Sequence, residues 1–297
     1  MSQDDSLLVL DGKSRDLGEG LSVRRILPQA VRRSVGPFVF YDHIGPVDFA
    51  PGHALEVRPH PHIGLETITY CFEGEILHRD SLGVVQPIQP GAVNWMTAGR
   101  GIVHSECVTE AVQAAGQRLH AVQAWVALPL AEEECEPAFH HHRADQLPVH
   151  KADGVTLKLL AGSIGALKSP VPTKTPTLYA DLTFEAGACF TAEATLAEER
   201  ALYIADGAIY LNGQRFSVGQ MPILTPGRDY QILAEDASRV MLLGGAPLDA
   251  PRTMFWNFVR HGKSGLSRPR TIGRTTVSRK CWATTRGFRC RIKLRRE

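Results

Sequence analysis

What this chain can fold into is constrained most by the spacing of its turn signals. Gly, Pro, Asn and Asp interrupt it about every 8–12 residues, and the runs between them are rich in β-branched and aromatic residues. FVFYDHI, LETITYCFEG and VQAWVALP stand in the first half, and TLYADLTFEAG, RALYIADGAIYL and VMLLGG in the second. Helical periodicity is weak throughout, and short helices are expected only at 108–118 and 252–262. The pattern predicts an all-β sandwich or barrel.

The two halves echo each other. Phe72-Glu73-Gly74-Glu75-Ile76, a Pro90-Gly91 turn and an apolar strand carrying His104 find counterparts in the second half. These are Ile204-Ala205-Asp206-Gly207-Ala208-Ile209, Gly219, Pro222 and a strand ending near Gly244-Gly245. A duplication of roughly a hundred residues predicts two stacked barrels. The first is expected over 1–130 and the second over 153–260. A linker rich in Glu, His and Pro joins them over 131–152, and an atypical tail follows over 261–297.

Composition narrows the functional classes. No apolar run approaches the roughly 18–20 residues that a membrane helix needs. The acidic start MSQDDSLLVL does not read as a secretory signal. A cytoplasmic protein without membrane contact is therefore expected. Six cysteines form no Cys-x-x-Cys pair, so no disulfide is expected. The net charge of +2 conceals an asymmetry: residues 263–297 hold twelve Lys or Arg and one acid, leaving 21 bases against 30 acids in the rest. Such a tail ordinarily points to nucleic acid.

The chemistry concentrates in two short segments. In Arg58-Pro59-His60-Pro61-His62, extended backbone sends His60 and His62 to one face. Pro61 removes a donor and keeps the segment extended. In Gly101-Ile102-Val103-His104-Ser105-Glu106 the same i, i+2 relation joins His104 and Glu106. Neighbouring strands lie about 4.7–4.9 Å apart. A His-x-His facing a His-x-Glu can thus surround one ion. Imidazole and carboxylate without thiolate suit Fe(II), Mn, Co, Ni or Cu(II). His140, His141 and His142 are consecutive and do not share a face, so they read as a loop. His78 stands near the interior strands and is a candidate pocket residue. Trp95 and Met96 fit either a cavity wall or ordinary core.

HPHIGLETITYCFEGEILHRDS and PGAVNWMTAGRGIVHSE resemble the signature blocks of the pirin family, a branch of the cupin superfamily. LSVRRILPQAVRRSVGPFVFYDHIGP and GGAPLDAPRTMFWNFV extend the resemblance over roughly residues 10–260. It implies a bicupin, two stacked double-stranded β-helix (jelly-roll) barrels, with a mononuclear metal, usually iron as Fe(II), in the first. The implied ligands are His60, His62, His104 and Glu106. Glu66 matches the ligand position of the general cupin motif and competes with Glu106 for the fourth place. The implied activity is quercetin 2,3-dioxygenase-like: a small aromatic flavonol and O₂ react at the metal, with Glu106, or Glu66 in reserve, as catalytic base. The alternative is an iron- and redox-sensing regulator that binds a transcription factor or a metabolic enzyme. The second barrel, with no His between His150 and His261, is expected to be metal-free, and the protein to be a monomer.

After Trp256-Asn257-Phe258-Val259 the resemblance stops. Related pirins continue with an acidic, Trp-containing segment, whereas here the chain turns Arg- and Thr-rich. Permissible codons from about Ser267 can be read in another frame to give an acidic stretch like the missing one. The expectation is a frameshift near residues 260–267, a disordered tail, and no nucleic-acid role for its charge.

Overall fold

The computed structural model describes residues 7–16 and 22–262. The basic segment 263–297, with the frameshift and disorder expected there, lies outside the described residues. Four sheets carry the architecture, two of seven strands and two of four. The first seven-stranded sheet runs, edge to edge, through Ala138–His142, Val93–Thr97, Leu65–Glu73, Gln117–Ala127, Phe38–Phe49, Ser22–Leu27 and Lys13–Asp16. Its four-stranded partner is ordered Val57–His62, Ile102–Cys107, Ile76–Asp80 and Val85–Ile88.

The second half repeats this order. Val9–Asp11, Gln220–Leu224, Glu199–Asp206, Ser238–Gly245, Thr177–Phe184, Val155–Ala161 and Val149–Ala152 form its large sheet. Cys189–Ala192, Tyr230–Ala234, Ala208–Leu211 and Gln214–Ser217 form its small one. Strand for strand the two halves correspond, which is the duplication read from the sequence.

The two large sheets pack face to face, and this explains their unbroken apolar runs. Strands buried on both faces lose the apolar–polar alternation of a half-exposed sheet. Along Leu65–Glu73 every residue but the last is buried. Ile68, Tyr70 and Phe72 join Tyr179, Tyr203, Met241 and Leu243 in a core between the halves. The alternate residue Cys71 packs with Ile44, Ile76, Ile88 and Leu119 inside the first barrel. Likewise Leu178, Leu182 and Leu242 turn inward, onto Ile209, Phe216 and Ile232 of the second barrel. Several polar groups of the interface between halves also bond across the seam. Tyr70 Oη donates to Asp181 at 2.8 Å, Tyr41 and Tyr179 hydroxyls meet at 3.1 Å, and His43 Nδ1 meets Tyr203 Oη at 2.6 Å.

Several local expectations change. The 108–118 region holds a short helix, Glu110–Ala115, capped by Thr109. The 252–262 region is instead a hairpin, Arg252–Phe255 with Phe258–His261, closed by the two-residue turn Trp256-Asn257. Its Phe and Val residues favour a pleated, half-buried surface, and Val259 is buried against Val39, Phe40, Leu65 and Trp125 of the first barrel. His261 therefore belongs to a strand, not to the start of a tail. The stretch 131–152 is more than a connector. Ala138–His142 adds an edge to the first large sheet and Val149–Ala152 to the second, so His140, His141 and His142 lie in a strand, not a loop. Val9–Asp11 crosses over to pair with Gln220–Leu224.

The hairpin docks where Gly64 sits, with Val259 N donating to Ile63 O at 3.0 Å. Gly64 has φ +71°, and a Cβ there would collide with the Val259 carbonyl oxygen. Gly64→Ala is expected to cost on the order of 1–3 kcal/mol through backbone strain. It should also speed amide hydrogen exchange at Val259 ahead of the core strands. Unchanged exchange at Val259 would show that this contact does not hold the hairpin.

Candidate metal centre

Val57–His62 is the edge of the small sheet of the first barrel and pairs only with Ile102–Cys107. An edge strand is where Pro59 and Pro61 can sit without breaking a ladder on both sides. His104 stands opposite His60, and Ile102 opposite His62. The register then slips, so that Glu106 faces Val57. Arg58 and Pro59 thus oppose Ser105 alone, an irregularity of the kind that re-aims side chains beside functional sites.

The result is a cluster in which one ring nitrogen each from His60, His62 and His104 lie within 4.8 Å of one another. The ring centroids are 4.4 Å apart for His60–His104 and 4.9 Å for both other pairs. His62 and His104 are buried and His60 is half-buried. Burial holds His62 down to about 3, with His60 adding to the effect and the backbone of Asn257 opposing it. Burial, then His60, His62 and His78, hold His104 well below the ordinary imidazole range. Both rings are therefore neutral at pH 7 and carry a lone pair.

The nitrogens are also presented correctly. His60 Nδ1 meets the Arg58 carbonyl at 2.8 Å. A carbonyl can only accept, so Nδ1 carries a proton and Nε2 is the nitrogen left to face a metal. His62 Nδ1 and His104 Nε2 are buried without a hydrogen-bond partner. Buried polar atoms are ordinarily satisfied, and a cation at the centre of the cluster would satisfy these. The donor set fits a divalent transition metal.

Glu106 lies on the inward face of the same strand as His104 but outside the three-histidine group. Gln123 Nε2 donates to both of its oxygens, at 2.8 and 2.9 Å, and Thr69 Oγ1 to one at 3.2 Å. Glu66 is placed differently from expectation. It alternates with Thr67 and Thr69 along its strand, so it lies on the face shared by Ile68 and Tyr70, away from Glu106. There it accepts from Thr97 Oγ1 at 2.8 Å, and burial pushes its carboxyl up to about 7. The pleat therefore turns the Glu66 carboxylate to the opposite face of the sheet from Glu106.

Other neighbours were not legible. Trp125 stands 5.0 Å from His62 and stacks at 4.0 Å on Phe40, forming an aromatic wall. Phe139 stacks on His78 at 4.5 Å and packs with Met96 and Ile102. His141 Nδ1 donates to Asn94 Oδ1 at 2.7 Å. Trp95 instead belongs to the core between the halves. Only the alternation of Gln123 and Trp125 in VQAWV could have pointed inward, and alternation does not say which face holds the site.

Because His62 and His104 are already neutral, protons compete little for them as pH falls from 7 to 5. The slope of log Kd for Ni(II) against pH should stay well below the three that three ordinary histidines would produce. Isothermal titration across this range checks it, and a slope near three would contradict the burial argument.

Known proteins resemble this chain over most of its length. The Pirin family matches residues 20–126 and the Pirin C-terminal cupin domain matches residues 179–268. A pirin-like protein of Caulobacter vibrioides is 45% identical over 264 residues, covering 88% of this chain and 90% of its own. The crystal structure of a quercetin 2,3-dioxygenase from Acinetobacter baumannii is 35% identical, with a TM-score of 0.81 over 88% of this chain and 86% of that one. A bacterial pirin from Escherichia coli, solved in complex with nickel(II), shares the fold at 19% identity, with a TM-score of 0.65 over 82% of this chain and all of that one. An all-β bicupin with a three-histidine cluster in its first barrel, this chain belongs to the pirin family.

Proposed function

We propose that this protein is a metal-dependent dioxygenase of the quercetin 2,3-dioxygenase type. In this reading His60, His62, His104 and Glu106 hold one divalent metal, Fe(II), and a flavonol-like aromatic substrate is cleaved with O₂. The observation that carries the reading is the pair of buried, unpartnered nitrogens on His62 and His104, converging with His60 beside a buried carboxylate. A metal held by these residues would supply a redox-active Lewis acid.

The chain's own residues do the rest. The Trp125–Phe40 stack beside His62 offers a flat apolar wall for an aromatic ring. Gln123 and Thr69 hold the Glu106 carboxylate in place, outside the histidine group. It is thus the donor able to serve both as fourth ligand and as acceptor of the substrate hydroxyl proton. Burial of His62 and His104 keeps bulk water from these two rings.

Iron-loaded protein given quercetin should consume O₂ and bleach the flavonol's visible absorbance. His104→Ala should lose both bound iron and turnover. Glu106→Gln should slow turnover by about 10²–10⁴-fold, the usual contribution of a positioned base. Iron-loaded protein that consumes no O₂ and leaves the absorbance unchanged would overturn the enzymatic reading.

A further inference from the structure

Beside His104, on the neighbouring strand, lies a second pair of residues at i, i+2 spacing. His78 and Asp80 belong to Ile76–Asp80, which pairs with the His104 strand so that His78 faces Glu106 and Asp80 faces His104. Both side chains are buried, His78 at 5% and Asp80 at 0% exposure. His78 Nε2 meets Asp80 Oδ2 at 2.9 Å, and His78 Nδ1 meets His104 Nδ1 at 3.4 Å, a long contact between tilted rings. The other carboxylate oxygen, Asp80 Oδ1, accepts from Leu82 N at 2.9 Å and Val84 N at 3.1 Å, which anchors the carboxylate to the following turn.

The donor and acceptor roles in this chain of groups follow from one end. Asp80 Oδ1 already accepts from two backbone N–H groups and Oδ2 is the acceptor facing the ring, so His78 Nε2 carries the proton. With a single proton on the ring, His78 Nδ1 is bare and can only accept, so His104 Nδ1 carries the proton. His104 Nε2 is left bare, and it is the nitrogen found buried without a partner. We propose that Asp80 and His78 are positioning residues that lock His104 into the one tautomer able to bind a metal. The proposal rests on the reading of His60, His62 and His104 as ligands. It adds that the identity of the group at residue 80 decides, two rings away, which His104 nitrogen has a lone pair.

Asp80→Asn tests this because it reverses the chain without removing it. The Asn carbonyl oxygen can keep the bonds to Leu82 and Val84, which turns its NH₂ toward His78. His78 Nε2 must then accept, Nδ1 must donate, and His104 is driven to carry its proton on Nε2, where the metal would bind. His78→Phe removes both nitrogens while keeping a ring to stack on Phe139.

The full chain and the three variants Asp80→Asn, His78→Phe and the double are compared in two ways. Co(II) affinity is read by competition with a chromophoric chelator, and the proton-bearing nitrogen of His104 by ¹⁵N NMR of the metal-free protein. Asp80→Asn should weaken Co(II) binding about 10–100-fold, the usual cost of losing a group that orients a ligand. It should also move the His104 proton from Nδ1 to Nε2. In the His78→Phe background the Asp80→Asn change should have no further effect, because the ring that transmits it is gone. The proposal is overturned if Asp80→Asn leaves the His104 tautomer unchanged, or if its loss of affinity persists undiminished without His78. Absence of Co(II) binding in the unmodified chain would instead remove the metal reading, while the NMR comparison would still decide the tautomer relay.

Discussion

The burial of both large sheets on both faces is the constraint on which the rest depends. Each central strand must supply two apolar surfaces, one to its own barrel and one to the seam between barrels, and the pleat assigns successive residues to them alternately. In Leu65–Glu73 this sends Ile68, Tyr70 and Phe72 to the seam and Thr69 and Cys71 inward. In Gln117–Ala127 it sends Val122, Ala124 and Val126 to the seam, leaving Gln123 and Trp125 on the side of Glu106 and His62. A one-residue slip in either strand would exchange the two sets, so the site is held by the same register that closes the core.

The two barrels show what a polar interior requires. The strands that correspond to the His-x-His and His-x-Glu segments in the second barrel carry Ala192, Tyr230, Ile232 and Ala234, all in its apolar core. The equivalent positions of the first barrel hold groups that would destabilise a dry interior unless each is partnered. The structure partners most of them: Gln123 and Thr69 for Glu106, Arg58 for His60, Asp80 for His78. The unpartnered nitrogens of His62 and His104 converge with His60. The second barrel contributes burial instead, and the hairpin that follows its last large-sheet strand returns to cover the first barrel beside His62.

How much of this was legible follows from range. His60, His62, His104 and Glu106 are pairs separated by two residues, and extended backbone alone places each pair on a face. The same rule applied to LETIT leaves open which face is inward, so it could not separate Glu66, a candidate from the general cupin motif, from Glu106. The short helix at Glu110–Ala115 has a local cap and a Gly stop, both readable. The hairpin at 252–261 has no comparable local signal: its strands are fixed by Val259 packing into a cluster built from residues more than a hundred positions away. His140, His141 and His142 take a strand conformation because Val93–Thr97 offers an open edge, which is again a distant partner.

The sequence by itself determined the all-β class, the doubled barrel, and three histidines and a glutamate spaced to meet in pairs, because turn chemistry and the period-2 pleat act within a few residues. Only the tertiary structure decided that the pairs face each other across one ladder and that Glu66 turns toward the seam. It alone placed Gln123, Trp125 and Asp80 around the cluster, and it set His78, a candidate pocket residue by sequence, against His104. Those facts depend on strand register and sheet packing, where hydrogen bonds and burial join residues that no local rule connects.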